Sequence, residues 1–209
     1  NLKKKILYIS TNDGSDMRIN KELKTLKKYS DIYFLGVGNY GENNYAKDFC
    51  KEFILINRKR NSFLAILYQT LKFIQLRLKH NFYSIHVINE QLMIFFYLFL
   101  FDKNVVLDLF DSIFLKLNKP HNKAAFLKRI VYAPVSKIIV TDENRRKLMS
   151  SFLQKKILVL ENYPYTFHEV KKRQSNFTRI LYNGSLSKAR GTKILKDIVD
   201  SNKLITGYL

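Results

Sequence analysis

Short apolar runs alternate with longer segments in which apolar residues recur every three or four positions, from Ile6 to Leu160. The runs are Ile6–Ile9, Ile32–Leu35, Phe53–Ile56, Ile85–Ile88, Val105–Leu107, Ile138–Val140 and Ile157–Leu160. Being continuous rather than alternating, they suit strands buried on both faces, and their alternation with helical patterns predicts consecutive βαβ units. The predicted fold class is therefore α/β: a Rossmann-like parallel sheet with helices on both faces, followed by an incomplete second α/β lobe. Ile19, Leu23 and Leu26 in one connection, and Leu64, Leu67, Leu71, Ile74 and Leu78 in another, fit a 3.6-residue period and are expected to face the core. The run Leu92–Phe101 is shorter than the roughly 20 residues a spanning helix needs, so it predicts a buried helix, with shallow membrane contact as the lesser alternative. Thr141 and Asp142, ahead of Glu143, are expected to cap a further helix.

Pro164 closes the last strand of the series, and the polar stretch His168–Asn176 with Lys171-Lys172-Arg173 predicts a linker. The expected division is a Rossmann-like lobe over residues 1–168 and the opening of a second lobe over 177–209. Two strands and one helix bury too little apolar surface to stand alone. That second piece is expected to pack on the first, to pair with another copy in a homo-oligomer, or to belong to a longer chain.

With 46% apolar and 14% aromatic residues, the chain of 209 residues is excluded from the disordered class. Lys and Arg number 37 against 17 acidic residues, a net charge of +20 that favours anionic partners. Nucleic acid, anionic lipid and nucleotide diphosphates all qualify. Cys50 is the single cysteine, and Asn1-Leu2-Lys3-Lys4-Lys5 leads directly into a strand, which makes the cytoplasm the expected compartment.

Open parallel sheets bind ligands beyond the carboxyl ends of their strands. The loop Asp13-Gly14-Ser15-Asp16-Met17-Arg18 follows the first strand, and Gly14, Ser15, Asp16 and Arg18 are candidate substrate-binding residues. The structural alternative has Asp16 capping the next helix and Arg18 pairing with Glu22 one turn on. Asn89, a further candidate acceptor-binding residue, and Glu90 end the fourth strand, Asp108 and Asp111 the fifth. Glu90 and Asp111 are the candidates for orienting or deprotonating an acceptor hydroxyl, whereas Asp108 is read as a turn residue. Asn162 ends the seventh strand as a candidate ligand contact or an ordinary turn. His86 is read as a satisfied core histidine, and no His, Cys or acidic spacing predicts a metal site. Near the end, Gly184, Ser185 and Arg190 frame a turn and helix start suited to phosphate. Arg58-Lys59-Arg60 leads into a helix carrying Lys72, Arg77 and Lys79, a basic amphipathic surface expected to touch anionic membrane.

The ordered set Ile6-Leu7-Tyr8-Ile9-Ser10, Asp16-Met17-Arg18 with Glu22, Val105 to Asp111, Ser136 to Glu143, Glu161-Asn162-Tyr163-Pro164, and Leu181-Tyr182-Asn183-Gly184-Ser185 with Arg190-Gly191 resembles the retaining GT-B glycosyltransferases. These enzymes use nucleotide sugars, and the match covers their amino-terminal lobe and the start of the carboxy-terminal one. The resemblance implies a glycosyltransferase that moves a sugar from a nucleotide sugar to a glycan or lipid-linked acceptor. It further implies bacterial surface polysaccharide synthesis, no cofactor, and donor phosphates held by Gly184, Ser185 and Arg190. Where that class usually has an arginine after the glycine and a lysine beyond it, this chain has Ser185 and Arg190. The family's acidic donor-gripping pair would fall after Leu209. The alternatives are a non-catalytic or truncated acceptor- or membrane-binding lobe, and a basic nucleic-acid-binding protein, for which no recognisable module is present.

Overall fold

A computed structural model of the chain describes residues 3–39, 45–60, 62–101, 104–110 and 121–162, with Lys193, Asp197 and Asp200 as isolated helical positions. Two compact units divide the chain, Asn1–Tyr163 and Pro164–Leu209. The described residues of the first form strands β1 (Lys4–Ile9), β2 (Ser30–Val37), β3 (Glu52–Ile56), β4 (Ser84–Ile88), β5 (Asn104–Asp108), β6 (Val135–Val140) and β7 (Ile157–Val159). Helices α1 (Met17–Leu26), α2 (Phe63–Lys79), α3 (Gln91–Phe96), α4 (His121–Tyr132) and α5 (Glu143–Leu148) lie between them.

All seven strands are parallel, in the order β3-β2-β1-β4-β5-β6-β7, so the Rossmann-like α/β fold expected from the apolar runs is the fold observed. The chain steps outward from β1 to β3, then α2 returns it across the sheet to β4 on the other side of β1. This reversal divides the connections between the two faces. Helix α1 packs Ile19 and Leu23 against Tyr8, Ile32, Phe34 and Ile88 on one face. Helices α2, α3 and α4 bury Phe73, Leu76, Met93, Phe96 and Tyr132 against Leu7, Leu35, Val87 and Leu107 on the other.

Helix α2 is rotated from the orientation its leucines predict. Ala65, Gln69, Phe73 and Leu76 face the sheet, while Leu64, Leu67, Leu71 and Leu78 are exposed. Three contacts fix this rotation. Ala65 allows close approach to the sheet, Gln69 Nε2 donates to the Ser10 carbonyl at 2.8 Å, and the Phe73 ring stacks on Phe96 at 4.5 Å. The run Leu92–Phe101 is likewise not one buried helix. It is α3 followed by a 3₁₀ turn over Tyr97–Phe99, with Leu92, Met93, Phe96 and Leu100 buried and Ile94, Phe95, Leu98 and Phe101 exposed. Among the described residues, no helix is long and apolar enough to cross a membrane.

Gly36 in β2 marks the closest backbone approach beside the first loop. A Cβ there would lie 2.5 Å from the Asn12 carbonyl oxygen and 2.5 Å from the Phe34 ring. Gly36→Ala is expected to destabilise the fold by about 1–3 kcal/mol, through overpacking against a backbone atom that cannot swing aside. A urea midpoint unchanged from that of the parent chain would contradict this.

Candidate functional site

The strand order reverses between β1 and β4, whose connections leave on opposite faces and open a crevice at the carboxyl ends. One wall is the loop after β1. Asn12 organises it: its Oδ1 accepts from Ser10 Oγ at 2.9 Å and from the Gly14 amide at 3.0 Å, and its carbonyl accepts from the Val37 amide. Gly14 follows at φ +87°, with Phe34 and Ala46 3.0 Å from where a Cβ would stand, so only glycine suits both the dihedral and the space. Asp13 Oδ1 then accepts from the Ser15 amide and hydroxyl. Asp16 caps α1 by accepting from the Arg18 amide at 2.8 Å.

The opposite wall comes from β4 and β5. Asn89 adopts φ +63°, a left-handed conformation that asparagine tolerates. Its amide donates to the Asp108 carbonyl, and its Oδ1 accepts from the Phe110 amide at 3.0 Å. Arg145 of α5 donates to the Phe110 carbonyl, so the β5 loop is held from both sides. Glu90 is buried at the start of α3, where Tyr132 Oη donates to its Oε1 at 2.8 Å.

Beneath α1 lies a charged cluster that the order of residues along the chain does not reveal. Arg18 turns inward, donating through Nη2 to Asp108 Oδ1 at 2.5 Å and through Nε to Glu22 Oε1 at 3.0 Å, with its guanidinium 4.7 Å from the Phe110 ring. Tyr8 Oη donates to Glu22 Oε2 at 2.6 Å, and the Tyr8 ring stacks on His86 at 4.4 Å. His86 Nε2 stands 3.6 Å from Glu22 and 3.8 Å from Asp108, and among the described residues neither it nor Asp108 Oδ2 has a hydrogen-bond partner. Two carboxylates thus share one guanidinium in a largely buried site. Burial, and then the charge of Asp108, push the Glu22 carboxyl from its ordinary 4.5 up to about 7. Burial and the same carboxylates push the Tyr8 phenol well above its usual range, so it remains a donor.

Glu22, His86 and Asp108 each offer a ligand atom within 4.8 Å of the others, a donor set borderline metals accept. Arg18 already supplies a positive charge to both carboxylates of that set.

Asp108 is not the turn residue its position suggested. It is the last residue of β5, fully buried, and its carboxylate is ion-paired across 90 residues. His86 is in the core, but its Nε2 finds no hydrogen-bond partner among the described residues. Asp16 capping and the Arg18–Glu22 pairing are both present as the structural alternative had them. Gly14, Ser15, Asp16, Asn89 and Glu90 lie on the two loops that flank the crevice, Ser15 and Asp16 exposed and the others buried. Asn162 is exposed after β7. Asp111, Gly184, Ser185 and Arg190 lie outside the described residues. Asn12 was missed, although an Asn two residues before a glycine after a strand is an Asx-turn signal. Cys50, half-buried beside α1, has its thiol pushed by burial up to about 12 and is no nucleophile at neutral pH.

Compared with protein-family models and with curated proteins, the chain matches none.

Proposed function

We propose that this chain carries the acceptor-side lobe of a retaining glycosyltransferase, which transfers a sugar from a nucleotide-sugar donor to a glycan or lipid-linked acceptor. The observation that carries the reading is the reversal of strand order between β1 and β4, with the Gly14 loop on one wall and Asn89–Glu90 on the other. A crevice of this kind admits a polar ligand beyond the strand ends, and the sequence resemblance names the ligand class.

In this reading Glu90 and Asp111 orient the acceptor hydroxyl and take up its proton as the glycosidic bond forms. The Gly14 backbone and Ser15 lie against the acceptor sugar. Asn89, whose side chain holds the β5 loop, positions that loop instead of reacting. The departing nucleoside diphosphate is stabilised by Arg190, Ser185 and the amides near Gly184, the phosphate-binding residues that the sequence resemblance implies. Work at the inner face of the cell membrane, in surface polysaccharide synthesis, belongs to the same proposal.

The test is release of nucleoside diphosphate by the full chain, given a panel of nucleotide sugars with glycan and lipid-linked acceptors. Saturable release is expected, reduced about 100-fold or more in Glu90→Gln or Asp111→Asn, the usual reach of a positioned acid or base. Glutamine keeps an acceptor for Tyr132 Oη, so the first variant separates chemistry from folding. Absence of saturable heat with every donor and acceptor, together with steeply salt-dependent binding of mixed oligonucleotides, would replace this reading by the nucleic-acid one.

A further inference from the structure

Helix α2 is apolar on both sides. Its inner stripe packs on the sheet, while Phe63, Leu64, Leu67, Tyr68, Leu71 and Leu78 are exposed on the outer one, Leu78 at 85%. Taken at 100° per residue, these six fall on a single face opposite Ala65, Gln69, Phe73 and Leu76. Helix α3 packs beside α2, joined by the Phe73–Phe96 stack, and with its 3₁₀ turn adds Ile94, Phe95 and Leu98, the last 82% exposed. A helix apolar all round is ordinarily buried, and this many exposed apolar side chains on neighbouring helices mark a contact site.

Charge identifies the occupant. Neither Phe63–Lys79 nor Gln91–Phe99 contains a single Asp or Glu. Lys72 and Lys79 lie along one flank of the α2 stripe and Arg77 along the other, with Arg58 and Lys59 exposed just before the helix. A second copy would bring another +20 charge against this one, which opposes self-association through the face. Nucleic acid would satisfy the cations but leave the leucines in water. A leucine-rich stripe between cationic flanks matches an anionic bilayer surface, with the apolar face at the acyl boundary and the cations at the phosphates. At 1.5 Å per residue, the 17-residue α2 is about 25 Å long and would lie flat in that plane.

We infer that the outer face of α2 and α3 docks this protein on anionic lipid bilayers. The inference stands on packing and charge and does not depend on sugar transfer. It is tested by co-sedimenting the full chain with vesicles of phosphatidylcholine alone and of phosphatidylcholine mixed with phosphatidylglycerol. Binding is expected to the mixed vesicles, weakened but not abolished by added salt, and at least about tenfold weaker with phosphatidylcholine alone, since each basic residue near the surface adds to attraction. Leu71→Glu with Leu78→Glu is expected to weaken it about tenfold or more at unchanged melting temperature, because both side chains are exposed. Lys72→Glu with Lys79→Glu, which leaves the apolar stripe intact, is expected to do the same. Undiminished binding by both double variants would overturn the inference. So would binding lost entirely in salt, or a concentration-dependent dimer that Leu71→Glu dissociates while vesicles bind nothing.

Discussion

Asp108→Ala is expected to lower the free energy of unfolding by about 3–5 kcal/mol, the cost of leaving a buried charge without its partner. Asp108 is fully buried and the Arg18 side chain is 6% exposed, so water cannot take over the lost bond. The guanidinium keeps Glu22, a carboxyl that burial alone still draws toward its neutral form. The shift in urea midpoint, at constant denaturant slope, measures the effect. Replacing both partners, Arg18→Met with Asp108→Leu, is expected to recover most of the loss, because a desolvated pair and a packed apolar pair are often close in stability. A single variant costing under about 1 kcal/mol would show that the pair is hydrated and the cluster open.

The second large effect is a fall in stability as pH rises through the range between 4.5 and 7. A carboxyl raised from 4.5 to about 7 on folding holds its proton in the native state where the unfolded chain has already lost it. The native state therefore binds more protons across that window, and the slope of unfolding free energy with pH is negative. The stabilising contribution is complete below pH 4.5 and gone above about 7, amounting to about 3 kcal/mol across the window. Most acid-sensitive proteins move the other way, so the sign is diagnostic. Glu22→Gln, which fixes a neutral side chain whose carbonyl oxygen can accept from Arg18 while its amide nitrogen donates to the Tyr8 hydroxyl oxygen, is expected to flatten the profile between pH 5 and 8. Parallel profiles for the two proteins would assign the proton elsewhere.

The strands were legible because burial on both faces leaves uninterrupted runs such as Ile85–Ile88, and no helix period imitates them. The facing of α2 was not. Its apolar residues occur on every side, so spacing alone cannot orient it, and the decision falls to Ala65, Gln69 and a ring stack with α3. Positions at strand ends could be read from chain order, which is why Gly14, Asn89 and Glu90 were found on the crevice loops. The cluster of Tyr8, Arg18, Glu22, His86 and Asp108 could not, since its members meet through register: Tyr8 lies opposite His86, and Ile88 opposite Asp108. Arg18 looked available to a ligand because sequence shows charge but not direction.

The placement of β1 at the middle of the sheet also bears on synthesis. Leu7 pairs with Tyr33 on one side, reachable within the first forty or so residues, and with Ile85 on the other. While the ribosome delivers the chain, β1 cannot gain its second neighbour until β4 has left the exit tunnel. Throughout that interval Tyr8, Arg18 and Glu22 wait without His86 and Asp108, and one long edge of the nascent sheet stays unpaired. Closing that seam is a non-local step of the kind that slows folding of parallel sheets, and the period before it is when the nascent protein most needs a chaperone.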